Sequence, residues 1–168
     1  MARDPHVTLP TLLPRLVAFA RTVVGDADLA RDLVQEAAAR ALAARRVPVD
    51  RPAYRAWMFR IVRNAALDYL RQKQVRDVTP PPPEVDLWGY DDARIAKITV
   101  EQGLASLDAS QREIIALIDI AGFSYAEAAD VLLIPIGTVM SRISRARGAL
   151  LAAIEASAVR PLKSSHGH

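Results

Sequence analysis

The sequence predicts an all-α protein built as two small helical domains on either side of a Pro-rich connector. Three observations carry that prediction. Glycine is scarce (7 of 168 residues) and aromatics make up 5%, a balance that favours helix over strand. Apolar residues recur at helical spacing in segment after segment. The run Pro80-Pro81-Pro82-Pro83 cannot join a helix and extends as a semi-rigid spacer. The formal net charge is only +3, yet the charge is segregated. Positions 40–76 hold ten basic residues (Arg40, Arg45, Arg46, Arg51, Arg55, Arg60, Arg63, Arg71, Lys73, Arg76) against Asp50 and Asp68. Positions 77–101 hold six acids (Asp77, Glu84, Asp86, Asp91, Asp92, Glu101) against Arg94 and Lys97. Basic modules flanking an acidic connector point to an anionic partner for each.

In the first half, Leu12, Leu13, Leu16, Val17, Phe19, Ala20, Val23 and Val24 form a helical stripe over 9–24. Pro10 and Pro14 place the regular start near Thr11 or just before Pro14, and Gly25 ends the helix. A second helix is expected over 28–44, with Leu29, Ala30, Leu33, Val34, Ala37, Ala41 and Leu42 inward and Asp32, Gln35, Glu36 and Arg40 outward. Two carboxylates one turn apart can serve acid–base chemistry. Here no histidine or metal-ligand pattern accompanies them, so a protein-contact surface is the better reading. Residues 45–52, with two prolines and three arginines, read as a basic loop. A third helix follows over 53–74. Trp57, Ile61, Val62, Ala65, Tyr69 and Leu70 are its expected inner side, with Arg60, Arg63, Asn64, Asp68 and Arg71 outside. Aromatics among arginines suit single-stranded DNA, where rings stack on bases and guanidinium neutralises phosphate; as isolated residues Trp57 and Tyr69 also suit a core.

Residues 75–91 read as the linker, which carries Leu87, Trp88 and Tyr90 as candidates for docking on a neighbour. Helices are expected over 92–104 (Ile95, Ile98, Val100, Leu104) and 109–121 (Ile114, Ile115, Leu117, Ile118), the latter ended by Gly122. Ser124 is then a good N-cap, and Glu127 stands where a capping box wants it. Pro135 halts that short helix. A longer helix starts at 136 or 137, with Val139, Ile143, Ala146 and Leu150 buried and Ser141, Arg142 and Arg145 pointing elsewhere. Short helix, tight turn and longer basic helix are the layout of a helix-turn-helix, whose second helix enters the DNA major groove. His166 and His168 sit in a tail expected to fray. There is no cysteine, which excludes disulfides and thiolate chemistry. No apolar run of about 20 residues is evident, and the first residues do not form a signal peptide. A cytoplasmic protein without membrane insertion is expected.

Taken together, the modules resemble the extracytoplasmic-function (ECF) sigma factors of bacterial RNA polymerase, the sigma-70 superfamily. Asp28-Leu-Ala-Arg-Asp-Leu-Val-Gln-Glu36 is similar to the core-binding helix of region 2. Ala56-Trp-Met-Phe-Arg-Ile-Val-Arg-Asn-Ala-Ala-Leu-Asp-Tyr-Leu-Arg71 is similar to the melting and minus-ten part of that region. Leu107-Asp-Ala-Ser-Gln-Arg-Glu113, Phe123-Ser-Tyr-Ala-Glu127 and Gly137-Thr-Val-Met-Ser-Arg-Ile-Ser-Arg-Ala-Arg147 are similar to region 4. The resemblance divides the chain into a region 2 domain (1–74), a linker (75–91), a region 4 domain (92–156) and a tail (157–168).

It also implies roles. Asp32, Gln35 and Glu36 meet the clamp helices of the polymerase largest subunit. Arg51 lies in the loop over 47–53 that captures a flipped minus-ten base. Asn64 reads that element, with Arg60, Arg63 and Arg71 on its phosphates. Met140, Ser141, Ser144 and Arg145 face the minus-thirty-five major groove, with Thr138 and Arg142 on phosphates. The implied partners are core RNA polymerase (clamp helices and flap region), promoter DNA and an anti-sigma factor, with no cofactor or metal. The implied function is an alternative sigma factor answering a stress or envelope signal. Leu133 stands where the family has a turn glycine, so a strained or differently shaped turn is expected. Met140 and Ser144 replace positions that are often basic or larger, and Ala37, Ala38 and Ala39 replace bulkier residues.

Two other classes compete. A stand-alone dimeric helix-turn-helix regulator has no use for the basic first module or the acidic connector. An enzyme requires a phosphate loop, a metal-ligand set or a nucleophile–base pair, and the sequence offers none.

Overall fold

A computed structural model describes residues 4–76 and 91–158 of the chain. The expectations for the Pro-rich run with Leu87, Trp88 and Tyr90, and for the tail with His166 and His168, lie outside the described residues. Among the described residues every regular element is helical: α1 (Leu9–Val24), α2 (Ala27–Ala43), α3 (Arg51–Arg76), α4 (Asp92–Ala105), α5 (Ala109–Ile115), α6 (Tyr125–Leu132) and α7 (Ile136–Ala158). A 3-10 turn, Pro5–Thr8, precedes α1, and a π turn, Ala116–Ile120, follows α5.

Local chemistry sets most boundaries. Gly25 takes φ 77° and returns its N–H to the Arg21 carbonyl, closing α1. Asp26 caps α2 by accepting from the Leu29 N–H. Asp108 with Gln111, and Ser124 with Glu127, form reciprocal capping boxes at the starts of α5 and α6. Each box satisfies two backbone donors that the first turn leaves orphaned.

Several expectations are corrected. The Pro5–Val24 stretch is 20 residues long with mean hydropathy 1.3, so one segment does reach spanning length. Its Leu9, Leu16, Phe19, Ala20 and Val23 are buried in the helical core. Arg51 and Pro52 belong to the first turn of α3 rather than to a loop, a place where proline's missing N–H costs nothing. Leu42 is 60% exposed, because α2 turns its 30/33/34/37/41 stripe inward. On α3 the buried residues are Tyr54, Met58, Phe59, Val62 and Ala66, while Trp57, Ile61, Ala65, Tyr69 and Leu70 are only partly buried at the rim. The expected 109–121 helix runs as α to Ile115 and closes in the π turn, where the Ala121 N–H bonds to the Ala116 carbonyl five residues back.

Helices α1–α3 pack on one another, as do α4–α7, with α1 against α5 and α3 against α6 joining the two groups. Buried apolar residues therefore form one cluster that runs through both domains.

Candidate nucleic-acid interface

Helices α6 and α7 meet at a short turn. Helix α6 ends at Leu132, and its C-cap Leu133 takes φ 55°, ψ 44°, the left-handed geometry. Pro135 then starts the next helix by accepting from the N–H groups of Thr138 (3.0 Å) and Val139 (3.2 Å). The turn thus needs a positive φ and is occupied by leucine, whose Cβ makes that geometry costly. Leu133 is 77% exposed and contributes little packing in return. Leu133→Gly is therefore expected to raise unfolding free energy by about 0.5–1 kcal/mol, read from denaturant midpoints.

Helix α7 buries Val139, Ile143 and Ala146 and turns Met140, Ser141, Ser144 and Arg145 outward, with Thr138 and Arg142 half-buried at its edges. The Arg145 Nε donates to the Ser141 carbonyl at 3.3 Å, laying its guanidinium along its own helix. Arg147 is tied to Asp119 by two bonds, at 3.1 and 2.6 Å.

In the first domain, Asp32, Gln35 and Glu36 lie exposed on the outer face of α2, with Glu36 paired to Arg40. Arg51, Asn64 and Arg71 are exposed on α3, and Arg71 sits 3.4 Å from Asp68. Arg60 and Arg63 are placed differently. The Arg60 Nη2 donates to the Asp130 carbonyl at 2.7 Å, at the C-terminal end of α6, where unpaired carbonyls concentrate partial negative charge. Arg63 donates through Nε to the Glu113 carboxylate, whose side chain is only 5% exposed. Burial pushes the Glu113 carboxyl up, and the hydrogen bond and charge of Arg63, with the charge of Arg142, pull it back down. Both arginines reach across to the second domain and stay only partly exposed.

No cluster of three or more His, Cys, Asp or Glu side chains that could hold a metal occurs among the described residues.

Comparison with known proteins agrees with this arrangement. Sigma-70 region 2 matches residues 11–76, and Sigma-70 region 4 matches residues 97–150. The probable RNA polymerase sigma-C factor of Mycobacterium bovis is 39% identical, over 84% of this chain and 76% of that protein. The chain belongs to the ECF sigma factor family. The ECF RNA polymerase sigma factor EcfG of Rhodopseudomonas palustris is 37% identical over 83% of this chain and 79% of its own length. Two solved structures are similar. The sigma factor RpoE in complex with the anti-sigma factor NepR, from Bartonella quintana, has a TM-score of 0.65 at 31% identity, covering 88% of this chain and 94% of that one. CnrH in complex with the cytosolic domain of CnrY has a TM-score of 0.67 at 32% identity, covering 88% and 85%.

One residue of this sigma factor that matters to the arrangement escaped the sequence reading. Arg55 lies between the domains, with its guanidinium carbon 4.0 Å above the Phe123 ring and its Nη2 donating to the Ala121 carbonyl at 2.8 Å. Its Nε is buried without a hydrogen-bond partner, and Glu127 stands 3.8 Å from its Nη1. Region 2 and region 4 are thus joined by three arginines of α3, Arg55, Arg60 and Arg63, five and three residues apart. The only sequence sign was the density of arginine on α3, which a DNA-facing reading explains equally well.

Proposed function

We propose that this ECF sigma factor binds core RNA polymerase through Asp32, Gln35 and Glu36 and directs it to promoters through two contacts. Region 2 takes the minus-ten element with Arg51, Arg60, Arg63, Asn64 and Arg71. Region 4 takes the minus-thirty-five duplex with Thr138, Met140, Ser141, Arg142, Ser144 and Arg145. The observation that carries the reading is the pairing, in one chain and in this order, of a region 2 match with an exposed acidic face on α2 and a region 4 match whose second helix presents its polar face to solvent. Holding unpaired bases outside the stack costs a few kcal/mol, more than a domain of this size supplies alone, so the polymerase is the co-binder. The Bartonella quintana neighbour was captured with an anti-sigma factor, and we infer such a partner here. Because Arg60 and Arg63 are engaged by region 4, the minus-ten contact requires the domains to part.

Run-off transcription with core polymerase tests this. The chain is expected to stimulate specific initiation. Asn64→Ala is expected to lower open-complex formation, read by permanganate reactivity of unpaired thymines, and to leave polymerase binding intact. Tight duplex binding by the chain alone, with no stimulation of core polymerase, sinks the proposal in favour of a stand-alone regulator.

A further inference from the structure

Near its start, α7 exposes two large apolar side chains that the protein itself does not use, with a third, Leu151, three turns further along. Ile136 is 45% and Met140 48% exposed. Scattered exposed apolar residues are ordinary. Among the exposed large apolar side chains described, however, these two alone stand four residues apart on one helix, so they form a single ridge. The ridge continues to Ser144 and carries no charge. The track beside it is small: Gly137 and Ser141 are both exposed. A Cβ built at Gly137 would meet nothing within 4 Å, and its φ is not positive. Neither internal packing nor backbone geometry therefore calls for glycine at this second position of α7. The cations flank this face: Arg145 continues the Gly137–Ser141 row, and Arg142 lies half-buried at the helix edge.

A face with low relief on one side, an apolar ridge on the other and cations alongside matches the floor of a DNA major groove. Phosphates flank that floor, and the C5-methyl of thymine is its apolar feature. An uncharged ridge gains nothing from phosphate. The Ile136–Met140 offset is ~6 Å along the helix axis, about two base-pair steps at ~3.4 Å each. Resting on the reading of α7 as the promoter-reading helix, we propose that Ile136 and Met140 are specificity-determining residues that read thymine methyl groups about two base pairs apart in the upstream promoter element. Gly137 and Ser141 let the backbone approach closely enough for both side chains to reach them.

The test uses the full chain loaded on core polymerase. In vitro selection from promoter duplexes randomised upstream yields the preferred element, and each thymine in it is then replaced by deoxyuracil, which removes only the methyl. Two positions about two base pairs apart are expected to lose holoenzyme binding about fourfold each, the factor set by ~0.8 kcal/mol per buried methyl-sized group. In Met140→Ala and Ile136→Ala holoenzymes the deoxyuracil penalty is expected to vanish at one position each. Both side chains are substantially exposed, so circular-dichroism melting is expected to show both variants folded. If deoxyuracil is neutral at every thymine, or the alanine variants keep the full penalty, methyl readout is wrong while the promoter reading stands. If selection enriches no upstream element at all, the promoter reading itself fails and methyl readout falls with it.

Discussion

Arg63→Ala is expected to destabilise the chain by about 2–3 kcal/mol, between the values typical of surface and of fully buried pairs, and to let the two domains separate. The variant leaves the Glu113 carboxylate, 5% exposed, without the cation that holds it ionised. Chemical denaturation reads the first effect, and an increased radius of gyration in small-angle scattering reads the second. The loss depends on pH in a defined direction. Burial already raises the Glu113 carboxyl in the folded chain. The native state therefore holds that proton to higher pH than the unfolded state, so this group favours folding below its ordinary range and ceases to do so as pH rises through the raised value. Removing Arg63 raises the carboxyl further. The gap between wild type and Arg63→Ala accordingly opens as pH rises through the wild-type Glu113 pKa, is full only above the variant's higher one, and shrinks on acidification, because a neutral Glu113 needs no counter-charge. A gap that stays constant with pH removes the ion pair as its cause.

Phe59→Ala is expected to cost about 3–5 kcal/mol, the range for deleting a fully buried aromatic side chain. Phe59 has no exposed surface. Its ring stands edge-on to Phe19, with centroids 5.5 Å apart and planes at 71°. On the other side it stands edge-on to Phe123, at 4.8 Å and 78°. Phe19 belongs to the same domain and Phe123 to the other, so one truncation opens a cavity on both sides of the interface. Thermal unfolding is expected to shift well below that of wild type. A small shift, within the range of an exposed substitution, sinks the claim that Phe59 is shared between the two cores.

The elements visible in the sequence are those governed by local rules. Ser124 with Glu127, Gly25 at a helix end and the 139/143/146 stripe of α7 each involve residues within a few positions of one another, so spacing alone reveals them. The inner face of α3 was misjudged for a physical reason. Helix α3 buries Tyr54, Met58, Val62 and Ala66 in its own domain and sets Arg55, Phe59 and Arg63 against the other. A helix buried on two sides carries no single apolar stripe, and periodicity loses its power to choose. The π turn at Ala116–Ile120 was invisible because one five-residue bond has no side-chain signature. The candidate site was legible in part. Asp32, Gln35, Glu36, Asn64 and the outer face of α7 are exposed as expected, whereas Arg60 and Arg63 are turned inward onto region 4. Their acceptors are a backbone carbonyl and a carboxylate fifty residues or more away in sequence, and no motif records such a partner.

Those carbonyl acceptors have a consequence for how this interface responds to its surroundings and to mutation. Arg60 bonds to the Asp130 carbonyl, Arg55 to that of Ala121, and from the other side Arg112 to that of Val23 at 3.0 Å. A peptide oxygen bears no net charge, does not titrate and survives replacement of the side chain that follows it. Counter-ions therefore screen these three bonds less than they screen exposed carboxylate pairs. Substitution at position 23, 121 or 130 leaves each acceptor in place so long as the helix ends keep their course. The ionic strength that weakens the exposed Arg21–Glu101 pair and the acidity that weakens Arg63–Glu113 leave this second set of bonds largely untouched, and drift in region 4 side chains alters the outer face of α7 without loosening the grip on region 2.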